Sequence, residues 1–156
     1  PREIAMASFT AVLLRTDLRE RIGFLDESFG TYYEDVEFGV RCRRAGLTGR
    51  YVPAATGVHE GSATAGAWSA FSVRQLSTNH ARLVAKHWGK RHKWAVGVAR
   101  VLWKSLVQRR GQQAVFPMFP VEQAGPLDFD DELIHALQQE TGFDTFWRWY
   151  FRLVRL

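Results

Sequence analysis

A chain of 156 residues is long enough for one domain with a real core, or for one half of a larger one. Its single cysteine, Cys42, excludes an internal disulfide and a multi-cysteine metal site and fits a reducing cytoplasm. No run approaches the eighteen or so uninterrupted apolar residues of a membrane-spanning helix, so a soluble or peripheral protein is expected. The formal net charge of +5 is unevenly spread: residues 61–121 carry ten Lys/Arg and no acid, whereas residues 1–60 and 122–156 are richer in acids than in bases.

The chain opens on Pro1 with neither a signal sequence nor a transit peptide, and it reads as a piece of something longer. Met6 to Leu14 is apolar and β-branched enough for a buried strand. Asp17 and Glu20 have capping-box spacing, which predicts a short helix from Leu18 to Ile22 that stops at Gly23. Phe24 to Gly30 follows as a loop with two apolar anchors and two acids, Asp26 and Glu27.

Tyr32-Tyr33-Glu34-Asp35 leads into the most informative helix. Val36 and Val40 repeat at i, i+4, and Phe38, Cys42 and Ala45 form a second row beside them. Glu34 and Asp35 lie in the first turn, where unpaired N–H groups favour negative charge, and Arg41, Arg43 and Arg44 lie towards the end that favours positive charge. Gly46 ends the helix as a left-handed residue. The acid pair reads either as helix caps that also meet the arginines, or as chemistry, with Asp35 a base held rigidly beside a loop.

Thr48 to Val52 reads as a strand ended by Pro53, and Thr56 to His59 as a second short extended piece. Glu60 to Gly66 is a loop of small residues able to approach a phosphate or a substrate closely. Trp68 to Trp88 is helical in pattern, with Trp68, Phe71, Leu76, Leu83, Val84 and His87 near one face. A second basic helix is expected from about Trp94 to Val107, then an arm containing Pro117, Pro120 and Pro126, then an acidic helix from Asp128 to Glu140. Asp128-Phe129-Asp130 stands after a proline and reads as a helix cap. The terminal segment Phe143 to Leu156 carries Arg148, Arg152 and Arg155 on one face and must bury its aromatic groups on the chain, on a second subunit or in a membrane interface.

Four motifs stand in a telling order. They are Arg21-Ile22-Gly23-Phe24-Leu25-Asp26-Glu27-Ser28-Phe29 after an apolar run ending in Leu14-Arg15, Tyr33-Glu34-Asp35-Val36-Glu37 with Arg41 and Arg44-Ala45-Gly46, Tyr51-Val52-Pro53, and Val58-His59 with Gly61-Ser62. In this order and spacing the first 66 residues resemble the acceptor-side half of the family-2 glycosyltransferases of GT-A fold. The resemblance implies an α/β fold with few strands, a C-terminal half of a nucleotide-diphospho-sugar transferase domain of Rossmann-like type, followed by a mostly helical region. The expected division is residues 1–66 for the acceptor-side part, 67–110 for a basic helical extension, 111–127 for a Pro-containing linker and 128–156 for C-terminal helices.

The activity it implies is inverting transfer of a sugar from a nucleotide-diphosphate donor to a hydroxyl acceptor, in bacterial cell-surface polysaccharide synthesis. Asp35 would be the general base and Glu34 would shape the site. His59 would be a ligand to Mn²⁺ or Mg²⁺, Gly61 and Ser62 would line the diphosphate, and Asp26 and Arg41 would contribute to substrate binding. Read without the family, His59 at a strand end is a structural residue. The family often has Asp where this chain has Glu37. Its nucleotide-binding strands and Asp-x-Asp motif precede the region matched here, so a fragment inactive alone is expected, with a glycan or lipid-linked acceptor as partner.

The rival reading is a non-catalytic binding module or a peripheral membrane-interaction module. Ten basic residues interleaved with Trp68, Trp88, Trp94 and Trp103 suit an anionic bilayer surface, or a solvated basic face over an aromatic core. No nucleic-acid-binding signature accompanies the charge, so nucleic acid is not expected. The expected location is the cytoplasm, at the inner face of the cytoplasmic membrane where the basic helices engage it, with a homodimer among the assemblies considered.

Overall fold

The computed structural model describes residues 2–60 and 69–88, together with Val101, Pro117, Phe119, Pro120 and Ala136. These residues form a mixed α/β unit with two short strands and three helices. Strand β1 (Arg2–Ile4) pairs antiparallel with β2 (Gly49–Tyr51), placing Arg2 opposite Tyr51, Glu3 opposite Arg50 and Ile4 opposite Gly49. The absence of a side chain at Gly49 matters here, because a Cβ there would lie 3.0 Å from Ile4 Cγ1.

The long strand expected over Met6 to Leu14 does not form. A ladder needs a free N–H and C=O opposite each residue, and the partner strand runs out: the Leu47 N–H is already bonded to Cys42 O at 2.9 Å in the turn that ends the preceding helix. Ala5 and Met6 continue inward and are buried, but the chain turns at Phe9 and Thr10, and Leu13 is 98% exposed.

Helix α1 (Leu18–Ile22) forms where expected and closes at Gly23, whose φ of 77° needs a glycine. The capping box does not. Asp17 makes no cap bond and instead pairs with the Arg15 guanidinium, at 2.9 Å to Nε and 2.7 Å to Nη2. The following loop contains one 3-10 turn, Glu27–Phe29, capped by Asp26 accepting from the Ser28 N–H at 2.9 Å, and this turn drives Phe29 into the core.

Helix α2 (Glu34–Arg44) buries five consecutive residues, Val36 to Val40, so it is enclosed on more than the one stripe that the hydrophobic spacing predicted. Cys42 is half-buried and Ala45 exposed. The helix ends as foreseen at Gly46, with φ of 68°, the Gly46 N–H donating to Arg43 O and the Leu47 N–H to Cys42 O, the paired bonds of a Schellman motif. Gly39 lets Met6 approach the helix, since a Cβ at Gly39 would meet Met6 Cγ at 2.9 Å. Residues 52–60, including the expected extended piece Thr56 to His59, are exposed and carry no strand.

Helix α3 (Ala70–Trp88) matches the expected span, with Trp68 outside the described residues. Its buried face differs from the one that hydropathy picks out. Leu83, Val84 and His87 are buried, but Phe71 is 53% exposed, and the inward row is Val73, Ser77, His80, Val84 and His87. Three of those five are polar, so a search for apolar spacing passes over them. Ser77 is satisfied within the helix, its Oγ donating to Val73 O at 2.8 Å.

The basic helix, the acidic helix and the terminal arginine segment lie outside the described residues. Of the Pro-containing arm, Phe119 rests against α3, with the Arg82 guanidinium 4.2 Å from its ring centroid. No described helix is long and apolar enough to cross a membrane.

Candidate active site

The turn before α2 is the unusual piece of backbone. Gly30 has φ of 65°, and Tyr32 and Tyr33 have φ of 67° and 72°, two consecutive non-glycine residues in the left-handed region. Each costs roughly 1 kcal/mol or more, so surrounding contacts must hold them. Phe29 and Tyr33 anchor the turn in the core, at 1% and 4% exposure. The Tyr33 hydroxyl and His80 Nδ1 share a hydrogen bond of 3.2 Å, and the two rings meet edge to face. Burial pushes the Tyr33 hydroxyl well above its ordinary range and holds His80 down to about 3, so both are neutral at physiological pH.

This turn delivers Glu34 and Asp35 as the first two residues of α2. Asp35 Oδ1 accepts from the Val36 N–H at 2.8 Å and Oδ2 from the Phe9 N–H at 3.2 Å. A carboxylate oxygen has two lone pairs, so each keeps one for a further donor. Asp35 thus ties the loop after β1 to the start of α2. Burial pushes the Glu34 carboxyl up, a bond to its own backbone N–H opposes this, and the neighbouring Asp35 charge adds to the rise. Glu34 Oε2 is buried without a hydrogen-bond partner, which biases that carboxyl towards its protonated form.

A cleft of about 390 Å³ opens at this point. Its walls are Ser8 to Thr10, Thr31 to Val36, His59 and Leu76. Glu34, Asp35 and His59, expected as site residues from their motifs, therefore meet at one cavity although His59 follows Asp35 by 24 positions. The hydroxyls of Ser8, Thr10 and Thr31 and the rings of Phe9 and Tyr32 were not foreseen there. The sequence signal for the tyrosines was their place directly before Glu34; the Ser8 to Thr10 segment gave none, because it read as strand.

Asp26 and Arg41 lie in a different assembly, centred on Glu37. The Glu37 carboxylate is fully buried, yet it accepts from Arg41 Nε at 2.9 Å on both oxygens, from Lys86 Nζ at 2.8 Å and from His87 Nε2 at 3.2 Å. Lys86 also bonds Asp26 at 2.7 Å, and Arg41 donates to the carbonyls of Ile22 and Phe24. Burial alone would raise the Glu37 carboxyl, but the bonds from His87 and Lys86 and the charges of Arg41 and Lys86 outweigh it and hold it below its ordinary value. The same Lys86 bond, with Ser28, brings Asp26 to about 2 against the effect of its own burial. This cluster joins α2 and α3 and the 3-10 turn into one body behind the cleft. An arginine four residues after Glu37 was its visible half; Lys86 and His87 lie 49 and 50 positions away.

Gly61 and Ser62 lie outside the described residues. An exposed imidazole on a cleft wall suits a divalent cation, and His59 can supply one ligand. Among the described residues, however, no three His, Cys, Asp or Glu side chains gather into a metal centre. A second cavity of about 320 Å³, between Leu14, Leu18, Phe24 and Phe38, holds none of the expected site residues.

No curated protein and no solved structure matches the chain. Residues 5–154, nearly the whole length, match the family described as glycosyl transferase family group 2. A carboxylate pair at a helix start on the wall of a cleft is an arrangement that can accept a proton from a hydroxyl, and the chain belongs to that glycosyl transferase family.

Proposed function

We propose that the protein takes part in inverting transfer of a hexosyl unit from a nucleotide-diphosphate sugar to a hydroxyl of a growing surface glycan, as the acceptor-side half of a GT-A domain. The observation that carries the reading is the meeting of Glu34, Asp35 and His59 at one cleft. Asp35 is the general base. Its carboxylate is braced by two backbone N–H groups and retains a lone pair on each oxygen, so an acceptor hydroxyl can bond to it and surrender its proton as the oxygen attacks the anomeric carbon. Glu34, beside it on the same wall of the cleft, shapes the site and contacts the acceptor. The aromatic and hydroxyl groups of Phe9, Tyr32, Ser8, Thr10 and Thr31 suit a sugar, which offers both apolar C–H faces and hydroxyls.

Mn²⁺ or Mg²⁺ would offset the charge of the leaving diphosphate. His59 is the side chain proposed to hold it, with Gly61 and Ser62 against the diphosphate. Asp26 and Arg41 support the site from the Glu37 cluster, which holds the 3-10 turn and α2 together.

The test is Asp35→Asn in the native protein, assayed for nucleoside diphosphate release from UDP-, GDP- and dTDP-hexoses with Mn²⁺. Loss of a general base predicts a fall of about 10²- to 10⁴-fold in kcat at unchanged fold. Unchanged turnover would remove Asp35 from the chemistry. His59→Ala should raise the Mn²⁺ concentration needed for half-maximal rate, and an unaltered metal titration would remove His59 from the metal.

A further inference from the structure

The start of α2 is a strained backbone held from a distance, and one side chain of α3 reaches three of its carbonyls. Asn79, on α3, is 1% exposed. Its Nδ2 donates to three carbonyls of the turn, Phe29 O at 2.7 Å, Thr31 O at 2.9 Å and Tyr32 O at 2.7 Å. An amide NH₂ has two protons, so the three contacts share them, and all converge on the four residues that lead into the left-handed Tyr32-Tyr33 pair. The bonds cross 47 to 50 positions of chain.

Without this donor three carbonyls of the turn lose their side-chain partner. Two tyrosines in the left-handed region relax readily to ordinary φ, and Tyr33 is the residue from which α2 departs. A rotation there swings Glu34 and Asp35 relative to Phe9, whose N–H braces the Asp35 carboxylate. His80, next along α3, meets the same turn at the Tyr33 side chain, whose hydroxyl shares a hydrogen bond with its Nδ1.

We propose that Asn79 is a positioning residue for the site carboxylates: by clamping the carbonyls of Phe29, Thr31 and Tyr32 it sets the left-handed turn that aims Asp35 into the cleft. The catalytic half of this inference rests on the reading of Asp35 as the base; the clamp itself does not.

Two readouts of Asn79→Ala separate those halves. In a crystal structure of the variant, Tyr32 and Tyr33 should leave positive φ and the bond from the Phe9 N–H to Asp35 should be lost; retention of both overturns the clamp. In turnover of the same nucleotide hexoses with Mn²⁺, kcat per folded molecule should fall between about tenfold and a hundredfold, with KM for the donor little changed, because the base is displaced and the donor contacts are not. On an Asp35→Asn background the same substitution should cost nothing further, since a residue acting only through Asp35 has nothing left to position. An equal loss on that background overturns the inference, because Asn79 would then act elsewhere. Undiminished turnover of Asp35→Asn alone overturns the base reading, and the catalytic half of this one with it, while the crystallographic result still decides the clamp. Should Asn79→Ala fail to fold, Asn79→Ser, which keeps one hydroxyl donor, is read by the same three criteria.

Discussion

Replacing Glu37 by Gln tests the account of what holds α2 to α3. The substitution keeps the volume and removes the charge of a carboxylate that is 0% exposed and touches three cationic or ionisable partners. Two of those, Arg41 and Lys86, have side chains only 17% and 19% exposed, so they would be left as largely buried cations. Breaking a buried ion pair from one side costs about 3–5 kcal/mol. Here each cation keeps something: Lys86 retains Asp26 at 2.7 Å, and Arg41 retains the carbonyls of Ile22 and Phe24. We therefore expect a loss of about 2–4 kcal/mol, read as a lower urea midpoint at pH 7 with the slope unchanged. Because the cluster is buried, 1 M NaCl should leave the difference between wild type and variant nearly intact, whereas an exposed pair would be screened. A loss below about 1 kcal/mol, the scale of a surface salt bridge, or a difference that vanishes in salt, would refute the claim that this cluster is a buried structural hub.

His80 makes stability fall with acid from an earlier pH than the carboxylates would. Its folded value, about 3, lies below the ordinary 6.5, so the unfolded chain binds the extra proton first; its contribution is complete above 6.5 and is lost as pH falls through that window towards 3. The slope should approach about 1.4 kcal/mol per pH unit, and His80→Gln should flatten unfolding curves measured between pH 6 and 4. Asp26 and Glu37, both held low, add their losses only further down, as pH falls below the ordinary carboxylate range. Gly39→Ala gains helix propensity but places a Cβ 2.9 Å from Met6 Cγ, so a net destabilisation of about 1–2 kcal/mol is expected, relieved in Gly39→Ala with Met6→Ala. A stabilised single variant in thermal unfolding would contradict the close approach.

Local signals were legible where the local backbone decides the outcome. Gly23 and Gly46 ended their helices at the expected residues because a left-handed terminus tolerates few other side chains. The acidic start and basic end of α2 marked its span for the same kind of reason, since the charges interact with groups of their own helix. The order of motifs carried the family. Where the expectation depended on a partner elsewhere in the chain, it failed or was silent: the strand over Met6 to Leu14 lacked a free edge to pair with. One local expectation failed as well, because two near neighbours compete for Asp17, which pairs with Arg15 two residues before it instead of capping α1.

The sequence by itself determined the helices α1, α2 and α3, the stops between them and the place of the Glu34-Asp35 pair at the start of α2. Tertiary structure alone decided that His59 shares a cleft with that pair, that Glu37 rather than an apolar residue sits at the centre of the α2–α3 contact, and that Asn79 grips the turn before Asp35. The physical reason is range. Propensity, capping and dipole effects act within a few residues, whereas a buried polar group must find its partners wherever the chain brings them, here 47 to 50 positions away.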